Sequence, residues 1–468
     1  MEMNRNPLAD DTIVALASPQ GSGAIAVIRL SGKESISLCD TVFRSKTKGI
    51  KTLAQAKGYT LHFGEIYEDD LELDEVIVSV FHAPHSYTSE NSIEISCHGS
   101  VFIQQQIILL LIRKGARLAN PGEFTLRAFL KGRIDLSQAE AVADLIASNS
   151  STSHQVAMQQ MRGGFSSRIK VLRENLVNFA SLIELELDFG EEDVEFANRD
   201  DLKKLILSIQ AIVHRLVESF EVGNVIKNGI PVAIVGKPNT GKSTLLNVLL
   251  DEERAIVSEI PGTTRDTIED EITIDGVLFR FIDTAGIRKT IDAIESVGVS
   301  RTWDKIRQSS IVLYVFDVHE ITASELRLIV TEIRENLQNA SLLIVGNKID
   351  KEDINYTIKE FQGFGDIIFI SAKEHLYIDD LKAKLVALFD NKAVNVSETI
   401  VTNARHVQAL QHTNSALTKV FEGLNSNLSG ELLSIEIRSA LQHLGEITGE
   451  ITTDNLLENI FSKFCIGK

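Results

Sequence analysis

The stretch "PVAIVGKPNTGKSTLLNVLL" restricts the fold of this chain more than any other part of its sequence. A β-branched apolar run ends in glycine, the loop "GKPNTGKST" covers 236–244, and an apolar pattern of helical period follows. A G-x-x-x-x-G-K-S loop between a strand and a helix predicts a phosphate cradle. The backbone N–H groups of the glycine-rich loop and the helix N-terminus cradle the phosphates, which makes Asn239, Thr240, Gly241, Lys242, Ser243 and Thr244 candidate GTP-binding residues. The Lys242 ammonium reaches the β and γ phosphates, and the Ser243 hydroxyl ligates Mg²⁺. A lone match of this kind also arises by chance as a glycine turn, so the order of the remaining motifs decides.

Those motifs occur in the order a nucleotide switch requires. "GTTRD" at 262–266 offers Thr264 as a second hydroxyl for Mg²⁺. "DTAG" ends a strand-like run with Asp283, Thr284, Ala285 and Gly286; the carboxylate suits a water-mediated contact to Mg²⁺, and the Gly286 N–H suits the γ-phosphate. "NKID" supplies Asn347, Lys348 and Asp350, and "SAK" supplies Ser371, Ala372 and Lys373. One carboxylate at Asp350 accepts both the N1–H and the exocyclic N2–H of guanine, donors that adenine lacks, while the Ala372 N–H meets guanine O6. The wrong base leaves that carboxylate unsatisfied, so GTP rather than ATP is the expected ligand.

The residue after "DTAG" is Ile287, where Ras-like proteins carry a water-positioning Gln nearby. An apolar side chain cannot orient water, so a polar group must come from elsewhere; "IRKTIDAIESVG" offers Asp292 and Glu295, either of which could equally be a solvated surface acid. Arg265 and Arg288 are candidates in cis for neutralising the transition state. Asn239 offers a carbonyl oxygen near the same charge, suited to a monovalent cation shared with backbone carbonyls of "SEIPGT".

The rest of the chain frames this module. At 468 residues it exceeds what one core usually organises, and roughly two to four domains are expected. Residues 1–124 alternate short β-branched runs ("AIAVIRLSG", "DEVIVSVFHAP", "NSIEISCHG") with the helical "SVFIQQQIILLLIRKGA", predicting a small α+β domain. Residues 125–228 turn helical, with Phe165, Ile169, Leu172, Leu176, Phe179, Ile183 and Leu187 and then Leu202, Leu205, Ile209, Ile212, Leu216 and Phe220 at steps of three and four. Residues 229–389 read as α/β, with buried-strand runs such as "SIVLYVFD" and "SLLIVGNKID". Helical pattern returns over 390–468 with Val407, Leu410, Leu417, Phe421 and Leu424, so the α/β module reads as an insertion into a discontinuous all-α domain.

Composition excludes several classes. A net charge of −18 disfavours non-specific adhesion to nucleic acid, so any RNA contact must be local or supplied by a partner. Three cysteines without CxxC spacing provide neither a disulfide framework nor a zinc knuckle. The longest apolar run, "IILLLI", is too short to span a bilayer, and no signal-like N-terminus precedes it, which predicts a cytoplasmic protein. "GSGAIA" precedes a strand and lacks the third glycine of a dinucleotide loop, so it reads as a turn. His82, His85 and His98 near Cys97 lack ligand spacing and read as satisfied or exposed histidines.

Taken together, "GKPNTGKS", "SEIPGTTRD", "DTAGIR", "NKID", "SAK", the N-terminal "DDTIVALASPQGSGAIAVIRLSG", "NPGEFTLRAFLKGRIDLSQAEAVADLI" and the terminal "FCIGK" resemble the tRNA modification GTPase MnmE (TrmE) family over essentially the whole chain. The resemblance implies a tetrahydrofolate-binding N-terminal domain that dimerises, a discontinuous helical domain and an inserted Ras-like P-loop G domain. It implies a K⁺-dependent GTPase working with the FAD protein MnmG (GidA). Together they place an aminomethyl or carboxymethylaminomethyl group on C5 of the tRNA wobble uridine, the carbon coming from a 5-formyl or 5,10-methylene folate, with NADH and FAD entering only through the partner. The family's potassium site falls on Asn239, Ser258, Ile260 and Thr263, within a nucleotide-binding loop that also includes Glu259, Pro261, Gly262 and Thr264. Its Mg²⁺ ligands fall on Ser243 and Thr264, and its water-orienting acid on Glu295. Its folate contacts fall on Arg29, Glu94, Arg133 and Lys468. Read from the residues alone, Arg29 and Glu94, each on a strand, could simply pair with each other.

"CIGK" is not a prenylation box, because Gly467 is not aliphatic and Lys is not an accepted last residue. "TTDNLLENIFSKF" predicts a capped amphipathic helix that docks the last residues, so Cys465 becomes a thiol delivered to an internal site, by resemblance the folate pocket, as a candidate catalytic group. The competing function is a GTP-dependent switch that binds rRNA during ribosome assembly. Such a switch would add a basic RNA-binding module, whereas this chain adds an acidic helical frame.

Overall fold

The computed structural model describes residues 11–46, 52–69, 71–188, 199–254, 270–282, 303, 306–337, 340–351, 359–361, 364, 366–390, 399–426 and 428–467. Two compact units are formed: residues 1–143, 160–198 and 422–468 make the first, and residues 144–159 with 199–421 the second.

The first unit is built on a seven-stranded sheet of order β3-β4-β5-β6-β2-β1-β7. Its strands are β1 (Ile13–Leu16), β2 (Ile25–Ser31), β3 (Phe43–Ser45), β4 (Thr60–Glu68), β5 (Leu71–Phe81), β6 (Ser92–His98) and β7 (Arg117–Leu118). All pairings are antiparallel except β1 with β7. Period-two patterning explains its layering: Val76, Val78 and Val80 of β5 are buried while Ile77 between them is exposed. The buried side packs with α1 (Ser35–Asp40) and α2 (Val101–Arg113), whose Ile107, Leu110 and Leu111 are fully enclosed. A smaller cluster of Ile13, Ala15, Ala119 and Phe124, joined by Tyr87, is separate from that core.

Helices α3 (Glu123–Leu130), α4 (Leu136–Ile146) and α6 (Gly164–Asp188) follow, with α5 (Ser151–Met161) between the last two. In α6 the expected stripe is realised at Phe165, Ile169, Leu172, Leu176, Phe179 and Ile183, which are buried; the Leu187 side chain lies outside the described residues. A buried charge network anchors the start of α3. Arg127 reaches Asp11 Oδ1 at 2.6 Å, Glu123 Oε1 at 2.9 Å and Glu90 Oε2 at 3.1 Å. Arg117 binds Asp11 and Glu123 as well. Burial alone would raise the Asp11 and Glu123 carboxyls, but hydrogen bonds from the two guanidinium groups outweigh it and hold both below the ordinary range.

The second unit centres on a six-stranded sheet of order β13-β12-β11-β8-β10-β9, parallel except for β9. Its strands are β8 (Ile230–Val235), β9 (Asp270–Ile274), β10 (Val277–Phe281), β11 (Ile311–Asp317), β12 (Ser341–Asn347) and β13 (Ile367–Ile370). The central β11 is buried at every residue, as a parallel strand covered on both faces must be. One hydrophobic cluster includes Leu245 and Leu249 of α8 (Lys242–Arg254) and Leu381 and Leu385 of α10 (Ile378–Asp390); another includes Leu326 and Val330 of α9 (Ala323–Asn336).

The helical segments are divided between the units. Residues of α5, α7 (Arg199–Asn228) and α11 (Ala404–Asn425) fall mainly in the second; α6, α12 (Gly430–Thr448) and α13 (Asp454–Phe461) fall in the first. The reason is visible at α7, which runs into β8 and places Ile226 in the core of the second sheet. The buried stripe of α7 is also displaced from the expected one: Ile206 and Val213 are buried, while Leu205, Ile212 and Phe220 are half-buried. Its spacing follows Leu202, Ile206, Ile209, Val213 and Leu216. In α11, Val407, Leu410, Leu417 and Leu424 are buried as expected, and Phe421 half-buried.

Candidate functional site

The loop between β8 and α8 adopts the backbone that its sequence predicts. Asn239 has φ 63°, in the left-handed region that Asn tolerates better than most residues. Gly241 has φ +94°, and a Cβ there would stand 2.2 Å from Asn347 Nδ2, so only glycine fits. Lys242 and Ser243 open α8 beside the loop, where the positive end of the helix dipole favours an anion. The Lys242 ammonium donates to the carbonyls of Gly236 at 2.9 Å and Lys237 at 2.6 Å, which keeps it at the loop. Thr240 is buried and its hydroxyl donates to Lys237 O; Thr244 is exposed.

Asn347, at the end of β12, ties three loops together. Its Nδ2 donates to Thr240 O at 2.8 Å, and its Oδ1 accepts from Ala372 N at 3.0 Å. The Ala372 amide, expected from sequence to meet guanine O6, is thus engaged by Asn347 in this structure. Ser371 Oγ donates to Asp350 Oδ1 at 2.6 Å and orients the carboxylate expected to read the base. The Ser371 loop is closed by reciprocal backbone bonds with Leu376. Lys373 is exposed and paired with Glu374.

Lys348 takes φ 73° and its ammonium lies 2.6 Å from Asp317 Oδ2, a carboxylate at the C-terminal end of β11. Burial would raise the Asp317 carboxyl, but the Lys348 hydrogen bond and the His319 amide lower it below the ordinary range. Asp317 and His319 were not singled out from sequence. The available signal was a carboxylate closing a parallel strand, the place where open α/β sheets bind ligands. Ser258, Glu259, Ile260, Pro261, Gly262, Thr263, Thr264, Asp283, Thr284, Ala285, Gly286 and Glu295 lie outside the described residues, as does Lys468.

In the first unit, strand register brings the N-terminal candidates together. Arg29 of β2 is the direct cross-strand partner of Glu94 of β6. Its Nε and Nη2 stand 2.9 and 2.8 Å from Glu94 Oε1, so the pairing that the residues alone allowed is formed. Arg133, beyond α3, comes to the same place. The Arg29 guanidinium lies 5.3 Å and that of Arg133 5.6 Å from the Tyr87 ring centroid, within cation–π range. Arg29 also lies 5.7 Å from the Phe124 ring, and Tyr87 Oη is 2.9 Å from Thr125 Oγ1. Tyr87, Phe124 and Thr125 carried no distinguishing pattern in the sequence. Two cations, one carboxylate and two aromatic rings can bind a planar, polar, anionic ligand.

The C-terminal helix is capped as expected: the Thr453 side chain accepts from Leu456 N and starts α13, whose Leu457 and Phe461 are buried. Beyond it the Gly122 N–H reaches Cys465 O at 3.4 Å, and the Cys465 residue is exposed. Gly467 has φ +98° and lies so close to β1 that a Cβ would stand 2.1 Å from Leu16 O. Leu16 follows Ala15, which pairs with Arg29, so the tail reaches the strand next to that arginine. His82 Nε2 is 2.9 Å from Ala56 O and His98 Nδ1 2.6 Å from Asp74 Oδ1, while Cys97 is buried, its thiol pushed up to about 11 by burial.

Residues 12–133 match the family model described as GTP-binding protein TrmE N-terminus, and residues 136–465 match the MnmE helical domain. A protein of Cytophaga hutchinsonii, "tRNA modification GTPase MnmE", is 56% identical over 458 residues, covering 98% of each chain. Proteins of the same name from Christiangramia forsetii and Flavobacterium psychrophilum are 55% and 56% identical, each over 98% of this chain and 99% of their own. With both family models matched in order and relatives of this similarity aligned end to end, the chain belongs to the MnmE family of tRNA modification GTPases.

Proposed function

We propose that this protein is a K⁺-dependent GTPase that, with an FAD-containing MnmG partner, installs an aminomethyl or carboxymethylaminomethyl group on C5 of the tRNA wobble uridine. The observation that carries the reading is the convergence of Arg29, paired with Glu94, and of Arg133 on Tyr87 in a chain whose second unit holds a phosphate loop tied to a guanine-type loop through Asn347. A molecular switch that only bound rRNA would have no use for the first of these pockets.

In the nucleotide pocket, Asp350 reads guanine, Lys242 holds the outer phosphates, and Ser243 with Thr264 completes the Mg²⁺ site. Bound Mg²⁺ supplies charge neutralisation on the phosphates. Asn239, exposed in the phosphate loop in a left-handed conformation, suits a cation site shared with Ser258, Ile260 and Thr263. Potassium there would supply the positive charge an arginine finger gives elsewhere. Glu295 orients the attacking water in place of a Gln.

In the arginine pocket, Arg29 and Arg133 fit the anionic glutamyl tail or a pterin oxygen of a tetrahydrofolate, Glu94 accepts from pterin N–H groups, and Lys468 is the further cation that the family resemblance assigns to this ligand. Cys465, on the docked tail, takes part in the modification. Dimerisation through the N-terminal sheet fits the exposed side of β4 and β5, where Leu61, Phe63 and Ile77 face solvent in this chain. Among the described residues no helix is long and apolar enough to cross a membrane.

Two experiments test the proposal. GTP turnover measured in KCl and in NaCl should differ by at least about tenfold, and equal rates would remove the cation mechanism. Digested tRNA from cells lacking the protein should contain unmodified wobble uridine; an unchanged modified base would remove the function.

A further inference from the structure

The turn that follows β11 grips the base-reading loop at three points. Asp317 Oδ2 takes the Lys348 ammonium at 2.6 Å, Val318 N donates to Asn347 O at 3.2 Å, and His319 Nε2 stands 3.1 Å from Lys348 O. The last contact makes Nε2 the protonated ring nitrogen. Asp317 also accepts from the His319 amide at 3.0 Å, which locks the turn to itself.

The grip falls on a strained residue. Lys348 has φ 73°, a conformation that is unfavourable for a residue with a Cβ and persists only where its surroundings enforce it. The enforcing group is a side chain only 3% exposed, so it is a rigid anchor, unlike a surface ion pair. Immediately after Lys348 the chain enters a single 3₁₀ turn, Ile349–Lys351, which contains Asp350. The direction in which Asp350 leaves β12 is therefore set by Lys348, while Ser371 fixes the far end of its carboxylate.

We propose that Asp317, assisted by His319, is the positioning residue for guanine selectivity: it holds Lys348 in its left-handed conformation and so aims Asp350 at the two guanine donors. This rests on the reading that Asp350 recognises the base. Asp317 touches neither base nor phosphate in this scheme; it acts through Lys348.

The test compares kcat/KM for GTP and for inosine triphosphate, which lacks the exocyclic amine, using the full-length wild type, Asp317→Ala, Asp317→Asn, His319→Ala and Asp350→Asn. Both substrates are measured on one preparation, so a partly unfolded sample changes both rates equally and leaves their ratio intact. The GTP preference should fall about tenfold in Asp317→Ala, mainly through KM for GTP. It should fall less in Asp317→Asn, whose amide oxygen still accepts from Lys348, and about threefold in His319→Ala. A wild-type ratio in Asp317→Ala together with a lost preference in Asp350→Asn would overturn the positioning role alone. A preserved preference in Asp350→Asn would overturn the base reading and the inference with it. If Asp317→Ala does not fold, the exposed His319 and the conservative Asp317→Asn decide, and unchanged ratios in both would overturn the proposal.

Discussion

In the nucleotide pocket three loops meet through one buried side chain, Asn347, whereas in the arginine pocket two guanidinium groups, one from a strand and one from beyond a helix, converge on one ring, Tyr87. The first pocket is made largely of backbone: the loop after β8, the N-terminus of α8 and the closed turn at Ser371 present N–H and C=O groups whose positions follow from chain conformation. The second is made of side chains whose positions follow from sheet register, Arg29 opposite Glu94 across β2 and β6. A backbone site needs short, contiguous motifs, and it tolerates few residue types at its glycines. A register site needs only that two strands pair correctly, and its residues lie far apart in the chain.

That difference can be broken most directly at Asn347. Asn347→Ala leaves Thr240 O and Ala372 N without their side-chain partner in a buried place, at about 1–3 kcal/mol for each group. GTP affinity, measured by titration calorimetry, should fall on the order of 100-fold, while binding of 5-formyltetrahydrofolate stays unchanged. A parallel loss at both ligands would mean that the two pockets are not independently built.

The next effect concerns the frame under the arginine pocket. Glu123→Gln weakens the network with Arg117 and Arg127 and should cost about 2 kcal/mol at neutral pH. Because the Asp11 and Glu123 carboxyls are lowered in the folded protein, their contribution is present above the ordinary carboxylate values. It is lost as pH falls below the ordinary carboxylate range and through their depressed folded values. Acid unfolding followed by tryptophan-independent circular dichroism should be shallower in Glu123→Gln than in the wild type; equal slopes would show that other carboxylates govern the acid limit.

A smaller effect is expected from the Arg29–Glu94 pair itself, which is partly exposed. Arg29→Ala should weaken folate binding about tenfold with GTP turnover unaltered, since a single charge-assisted contact is lost in a partly wet site. The smallest effect should come from Gly467→Ala, which forces the tail away from Leu16 O at a cost below about 1 kcal/mol in overall stability. Its signature is functional: melting temperature nearly constant and wobble-uridine modification reduced. Full modification would show that the docked tail carries no part of the chemistry.

The sequence by itself determined the loop after β8, the turns at Lys348 and Ser371 and the strands that bear them, because glycine, lysine and asparagine at fixed spacing answer to backbone geometry within a few residues. It also determined α6 and the capped α13, where hydrophobic period and a Thr cap act locally. The stripe of α7 was legible only approximately, since Ile206 and Val213 are chosen for burial by the neighbours the helix meets rather than by its own period. Tertiary structure alone decided that Arg29 and Arg133 both reach Tyr87, that Asp317 anchors Lys348, and that Gly467 lies against β1. Each of these is a contact between segments distant in the chain, where local preference is silent and the register of a sheet or the docking of a helix fixes which side chains meet.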